Sequence, residues 1–352
     1  MSEKTNPGNY FEDFWIGQEL VHATPRTVTE GDVSLYTALY GSRFAVQSSD
    51  VFAGDLGLAG APVDDLLVFH LVFGKTVPEV SLNAVANLGY AGGVFGAPVY
   101  PGDTLSTTSK VIGLKENSNG KTGVVYVRSV GTNQSGEMVL DYVRWVMVRK
   151  GNADAPAPDP VVPELPGAVA AADLVVPAGL DLAVYDTAAA GSPYLWNDYE
   201  AGERIDHLDG MTIEEAEHML ATRLYQNTAK VHFDQFEANG GRFKRRLVYG
   251  GHIISLARAL SFNGLANAFK VAAINGGAHI NPTFAGDTIY AWSEVQECMN
   301  IPGRDDAGAL RLRTVAIKNR PSADHPDKTD VGKYDESVVL DFDYTVLMPR
   351  RA

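Results

Sequence analysis

The chain has 352 residues, 45% of them hydrophobic and 9% aromatic, with a formal net charge of −14. That length and apolar content suffice for a large buried core and suggest about two domains, while so acidic a surface would repel a phosphate backbone, so nucleic-acid binding is not expected. No run of about 18 apolar residues is present to span a bilayer and the first residues lack the charged-then-apolar order of a secretory signal, so a cytoplasmic protein without a membrane partner is expected.

Taken in chain order, Thr29-Glu30-Gly31-Asp32 opens an amphipathic helix that ends near Tyr40. A second helix is expected over residues 63–77, with Pro62 ahead of it and two aspartates in its first turn, where negative charge meets the positive helix end. It is apolar around most of its circumference, as a helix enclosed by other structure would be. Residues 122–130 and 138–149 read as strands, and 131–136 as the turn of a hairpin. Residues 151–166, GNADAPAPDPVVPELP, hold five of the 18 prolines and read as a linker.

The same order then begins again. Thr212-Ile213-Glu214-Glu215 opens a helix ending near Tyr225, and a largely apolar helix follows Gly250-Gly251 over residues 252–262. Gly17-Gln18-Glu19 with His22 answers Gly202-Glu203-Arg204 with His207, and Tyr40 answers Tyr225, each at a spacing of 185. Pro101-Gly102-Asp103-Thr104 answers Ala285-Gly286-Asp287-Thr288, and Val139-Leu140-Asp141-Tyr142 answers Val339-Leu340-Asp341-Phe342. A spacing this long means duplicated domains, not a solenoid. The expectation is an α+β protein built from residues 1–150 and 191–352, each a central helix wrapped by an antiparallel sheet, joined by a Pro/Ala-rich linker over 151–190.

This helix-in-a-sheet plan, with Gly-Asp turns before a strand, resembles the double hot-dog fold of the MaoC-like dehydratases and R-specific enoyl-CoA hydratases over nearly the whole chain. Their motif reads Gly-Asp-any-Asn-Pro-aliphatic-His after a tyrosine-bearing helix. Here Tyr225-Gln226-Asn227-Thr228-Ala229-Lys230-Val231-His232 keeps the histidine and the spacing, with Asn227 in the aspartate position, Ala229 in the asparagine position and Lys230 in the proline position. In the first half Gly41-Ser42-Arg43-Phe44-Ala45-Val46-Gln47 keeps the glycine and lacks both catalytic types. The stretches NPGNYFEDFWIGQ, HATPRTVTEGDVSLYTALYGSRFA, APVDDLLVFHLVFGKTVPEVSLNAVANLGYAGG and YPGDTLSTTSKVIGL are similar to the mesaconyl-CoA hydratase (β-methylmalyl-CoA dehydratase) family. The resemblance implies reversible hydration of an enoyl-CoA thioester, mesaconyl-CoA to β-methylmalyl-CoA, with no cofactor because coenzyme A is part of the substrate. Composition and spacing alone stop at a duplicated acyl-thioester enzyme or binder, and leave a hot-dog thioesterase and a non-catalytic acyl-CoA module as alternatives.

Hydration requires a base to activate water, an acid to protonate the α carbon, and donors for the enolate oxygen. His232 is the candidate proton-handling group, since imidazole titrates near neutral pH, against the reading of a satisfied core histidine. Asn227 can only orient water or substrate, so Asp234, Asp64 and Asp65 are candidates for a second carboxylate, each against a capping or solvated role. Enolate donors are expected at the start of a central helix, from Gly250 and Gly251 or from Pro62-Val63-Asp64, with His252 in a supporting place. The segment Asn87-Leu88-Gly89-Tyr90-Ala91-Gly92-Gly93 precedes a strand rather than a helix, so it is no nucleotide fingerprint; with Ala97, Pro98 and Val99 it is expected to line an acyl-CoA groove. Asp103 and Asp287 read as turn residues. Arg242, Arg245 and Arg246, in the densest basic run, are candidates for the coenzyme phosphates, against the reading of a solvated strand face. A distal carboxylate on the acyl group needs a cation, for which Lys230, or failing it Arg43, is the candidate. No metal site is expected, because Cys298 is the only cysteine and His232, His252 and His279 lack close ligand spacing. The expected partner is a small-molecule acyl-CoA, within a homo-oligomer, dimer favoured.

Overall fold

The computed structural model describes residues 4–323, 327–329 and 331–351. Its main elements, in chain order, are β1 (Glu19–Thr27), α1 (Glu30–Tyr40), α2 (Asp65–Thr76), β2 (Ala84–Phe95), β3 (Thr104–Glu116), β4 (Thr122–Thr132) and β5 (Met138–Arg149). The second half repeats them as β6 (Arg204–Thr212), α3 (Glu215–Leu224), α4 (Gly250–Leu260), β7 (Lys270–His279), β8 (Thr288–Asn300), β9 (Ala307–Lys318) and β10 (Val338–Pro349). Among the described residues no helix is long and apolar enough to cross a membrane.

The helices form where local chemistry starts them. Thr29 and Asp32 make a reciprocal capping box at the head of α1, and Gly41, at φ 61°, ends it in the left-handed region. Asp64 caps α2 by accepting from the Leu66 N–H at 2.9 Å, which puts Val63, like Pro62, ahead of the helix. Every residue of α2 from Leu66 to Thr76 is buried, and every residue of α4 from Gly251 to Leu260. α4 begins two residues earlier than the apolar pattern alone suggests, because both glycines already belong to it.

All ten strands join one antiparallel sheet in the order β1-β3-β4-β5-β2-β7-β10-β9-β8-β6, so the second half is the first read outward from a central seam. The seam is narrow: β2 and β7 pair through Gly93 with Ile274 and Val94 with Ala273. One apolar cluster nevertheless runs through both halves, from Leu66 and Phe69 of α2 to Ile253 and Leu256 of α4.

The duplication reaches individual side chains. His22 Nε2 meets Ser109 Oγ at 2.8 Å, and His207 Nε2 meets Ser293 Oγ at 2.8 Å. Residues 185 apart also touch each other: Tyr40 and Tyr225 share a hydroxyl hydrogen bond of 2.5 Å, and His70 Nε2 lies 2.8 Å from Ser255 Oγ. Equivalent positions meeting in this way place these pairs on an approximate two-fold axis between the halves. Asp103 and Asp287 accept from the Tyr100 and Phe284 N–H groups and are turn residues, as expected.

Between β5 and β6 the chain has only short helical turns and one bridge, Leu114 to Val161. It is not solvated throughout, since Val169, Leu174, Leu180 and Leu182 are buried against Phe269, Ala309 and Leu347.

Candidate active site

A cavity of about 280 Å³ opens between the halves. Phe73, Ser81, Asn87, Tyr90 and Arg144 form its first-half wall, and Asn227, His232, Tyr249, Gly250 and His279 face them from the second half. Among the described residues that line it, none is an aspartate or glutamate.

His232 ends a single helical turn, Lys230–His232. Its Nδ1 lies 2.9 Å from the Leu247 carbonyl. A carbonyl can only accept, so Nδ1 carries the proton and Nε2 is left as the ring's acceptor. Burial pushes the pKa down to about 4, against the Leu247 bond, which raises it. The ring is therefore a neutral base at pH 7.

Asn227 is buried at the cavity wall, its Oδ1 taken by the Ala229 N–H at 3.0 Å. The residue before it, Gln226, sits at φ 52°, where the first half has Gly41 at φ 61°. The loop thus keeps a left-handed position without glycine, at a cost of about 1–2 kcal/mol, and Lys75 Nζ holds the Gln226 amide there.

The two central helices differ at their starts. α2 has its own anion in place, Asp64, whose carboxyl is pushed up to about 6 by burial and by Asp65. α4 starts after Tyr249 with no side-chain cap, and Gly250 borders the cavity. In the second half the His252 N–H turns back to Tyr249 O at 2.9 Å, and the helix dipole and the Gly250 end face the cavity without a side-chain cap. The two glycines divide their roles. A Cβ on Gly250 would lie 2.4 Å from His279 Cε1 on the cavity side, whereas a Cβ on Gly251 would lie 2.4 Å from Tyr249 and 2.6 Å from His70 in the core.

In the first half a cavity of about 10 Å³ is bordered by Tyr36, Ser42, Gln47 and Asp64. Pro62, Val63 and Asp64 do not line the large cavity. The expectation that they supply enolate donors is corrected, because Val63 N–H is spent on Val99 O and Asp64 fills the helix end itself.

The groove segment divides because β2 is bulged. Asn87 pairs with Val146, Gly89 with Trp145 and Tyr90 with Arg144, so Leu88 is the extra residue. The bulge turns Asn87 and Tyr90 to the cavity face together with Arg144 and Val146, while Leu88 and Gly89 do not line it. Ala97, Pro98 and Val99 also lie outside it; Ala97 N–H pairs with Met138 O in a turn against β5.

Other expected site residues lie away from the cavity lining. Asp234 caps the short helix Gln235–Ala238 through the Glu237 N–H, and Asp65 is held by Lys270 and the Val271 N–H, each at 2.9 Å, so neither is a second carboxylate of the site. Lys230 is exposed and 3.9 Å from Glu237, and Arg43 lies over the Phe262 ring at 4.5 Å; neither lines the cavity. The run from Arg242 to Arg246 is a loop, not a strand face. In it Arg246 is neutralised by Glu215, Arg245 donates to Ala285 O at 2.6 Å and Arg242 lies over Phe243 at 5.2 Å. His252 is buried behind the site, with Nδ1 2.9 Å from Tyr40 Oη, in the supporting place expected.

His279, Tyr249 and Arg144 are among the cavity residues that were not singled out from sequence as site residues. His279 ends β7 with Nε2 3.2 Å from Tyr90 Oη, and Tyr249 brings a buried hydroxyl without a hydrogen-bond partner among the described residues. Arg144 had a readable signal. Leu140, Tyr142, Val146 and Val148 alternate as the buried face of β5, and an arginine interrupts that face.

The mesaconyl-CoA hydratase family profile matches residues 1–326. The chain is 70% identical over 351 residues to a β-methylmalyl-CoA dehydratase of Chloroflexus aurantiacus, covering 100% of both. It is 60% identical to a mesaconyl-CoA hydratase of Cereibacter sphaeroides over 99% of this chain and 100% of that one. Among solved structures, a MaoC domain protein dehydratase from Chloroflexus aurantiacus superposes with a TM-score of 0.98 at 70% identity over 100% of both chains. A double hot-dog protein of Mycobacterium tuberculosis does so with a TM-score of 0.76 at 26% identity, covering 97% of this chain and 98% of that one. A family profile over residues 1–326 and likeness along its whole length to two relatives make this double hot-dog chain a member of the mesaconyl-CoA hydratase family.

Proposed function

We propose that this chain catalyses the reversible hydration of mesaconyl-CoA to β-methylmalyl-CoA, with His232 moving the proton. The observation that carries the reading is the neutral His232 ring, tied by Nδ1 to Leu247, bordering the same cavity as the uncapped start of α4. The thioester carbonyl oxygen is placed at the Gly250 end of the helix. As water attacks the β carbon, electron density moves onto that oxygen and the helix N–H groups stabilise it. Nε2 of His232 takes a proton from the water, whose oxygen bonds to the β carbon. With no carboxylate among the described residues that line the cavity, the same ring returns a proton to the α carbon, and the Asn227 amide holds the water. The exposed Arg242 and Arg245, on the loop that leads to Leu247, are assigned to the coenzyme phosphates.

Incubation with mesaconyl-CoA while following the enoyl-thioester absorbance tests the reading. Absorbance is expected to fall without release of free thiol, and His232→Ala is expected to fold normally and lose on the order of 10²–10⁴ in kcat. Thiol release would make the chain a thioesterase, and tight binding with unchanged absorbance would make it a binder. Near wild-type turnover in His232→Ala would remove the ring from the mechanism.

A further inference from the structure

Arg144 has no part in moving the proton, yet it stands in the cavity wall. It is 0% exposed. Its Nη2 donates to Thr76 Oγ1 at 2.7 Å and to Ser81 Oγ at 3.3 Å, and its guanidinium lies over the Phe73 ring at 4.3 Å. Its Nε and Nη1 have no hydrogen-bond partner among the described residues, and neither polar atom of the Asn87 amide on the same wall has one. Among the described residues the ionisable groups that feel the guanidinium include the Tyr90, Tyr142 and Tyr249 hydroxyls, Tyr142 within reach of it, and the His22 ring, none of them an anion. Glu79, on the turn after α2, is engaged with His22 Nδ1 at 2.9 Å. A buried guanidinium without a counter-charge is costly, and its planar fork matches a carboxylate.

We propose that Arg144, with the Asn87 amide and the Ser81 hydroxyl beside it, binds the distal carboxylate of a dicarboxylic acyl thioester and so selects such substrates over plain fatty enoyl chains. The proposal rests on the acyl-CoA reading above and takes the role that Lys230 and Arg43 cannot fill. In mesaconyl-CoA that carboxylate is bonded to the β carbon, so holding it also fixes the carbon that receives water.

Calorimetric binding of succinyl-CoA and of butyryl-CoA, in which a methyl replaces the carboxylate, isolates this contact without turnover. The wild type is expected to prefer succinyl-CoA. In Arg144→Met the affinity for succinyl-CoA should fall about 30-fold or more, while that for butyryl-CoA changes little. Removing an uncompensated buried charge should leave the melting temperature unchanged or higher, which a structural arginine would not do. Arg144→Lys, which keeps the charge and loses the fork, should fall between the two and serves if the methionine variant does not fold. No wild-type preference, or equal changes for both ligands, overturns the proposal. Wild-type hydration of mesaconyl-CoA is scored separately. If it is absent while the carboxylate preference depends on Arg144, the reaction falls and the subsite stands; hydration with binding indifferent to Arg144 removes only the subsite.

Discussion

At the scale of single residues, burial and one backbone carbonyl decide what His232 can do. The Leu247 contact selects the tautomer, and burial lowers the pKa to about 4. Because the shift is downward, the base form is populated above the folded pKa and is lost as the pH falls through it. Turnover limited by this base is therefore expected to stay level from about pH 8 to about pH 5 and to drop below that, rather than to fall through the ordinary histidine value near 6.5. A pH profile of kcat checks this, and a midpoint near 6.5 would mean that the ring is solvated when it works. Lys230 is a useful contrast, since it stands two residues away in the motif and is exposed beside Glu237. Lys230→Met should leave the hydration of mesaconyl-CoA unchanged, because an exposed cation of this kind contributes little; a large loss would return it to the site.

At the scale of elements, the starts of the central helices distinguish the half whose helix begins at the large cavity from the half whose helix does not. Both α2 and α4 are enclosed helices. Only α4 presents glycine to a cavity, and only α2 carries its own capping aspartate. Gly250→Ala would drive a methyl into the His279 ring at the mouth of the helix. It is expected to lower kcat on the order of 10²-fold through misplacement of the carbonyl site, with the melting temperature near wild type. Gly251→Ala meets Tyr249 and His70 in the core instead, and should destabilise by about 1–3 kcal/mol. Kinetics and thermal melts of both variants separate the two roles, and a reversal of this pattern would put the donors at Gly251. The bulge in β2 works at the same scale: one extra residue, Leu88, turns Asn87 and Tyr90 to the face that Arg144 occupies.

At the scale of the whole molecule, the duplication has produced one site from two halves. The first half contributes the wall with Arg144, Asn87 and Tyr90, and the second contributes His232, Asn227 and the α4 terminus. The core crosses the seam as well, with Tyr40 on Tyr225 and Arg26 Nη1 on Leu224 O at 2.5 Å. Residues 1–190 and 191–352 produced separately are therefore each expected to be inactive and prone to aggregate, because each exposes the apolar surface that the other covers. Coexpression of the two pieces should restore hydration, whereas activity in either piece alone would show that the site does not need both walls.

Much of the architecture was legible in the chain itself, because it depends on local chemistry and on a pattern written twice. The 185-residue spacing, the capping residues at Thr29 and Thr212-Ile213-Glu214-Glu215, the apolar helices and the β4–β5 hairpin all follow from neighbours in sequence. His232 and Gly250 were legible through a motif and a helix start. Asp234 and Asp64 were misleading for a physical reason: a carboxylate near a catalytic loop and one that caps the next helix are the same residue type at the same spacing, and only the hydrogen bond received tells them apart. The choice among Lys230, Arg43 and Arg144 was only partly local, since the alternation of β5 marks Arg144 as inward-facing but does not say what it faces. Which cation is desolvated depends on which strand faces the cavity, and that is decided by the register of β2 on β5 and by the meeting of two halves far apart in the chain.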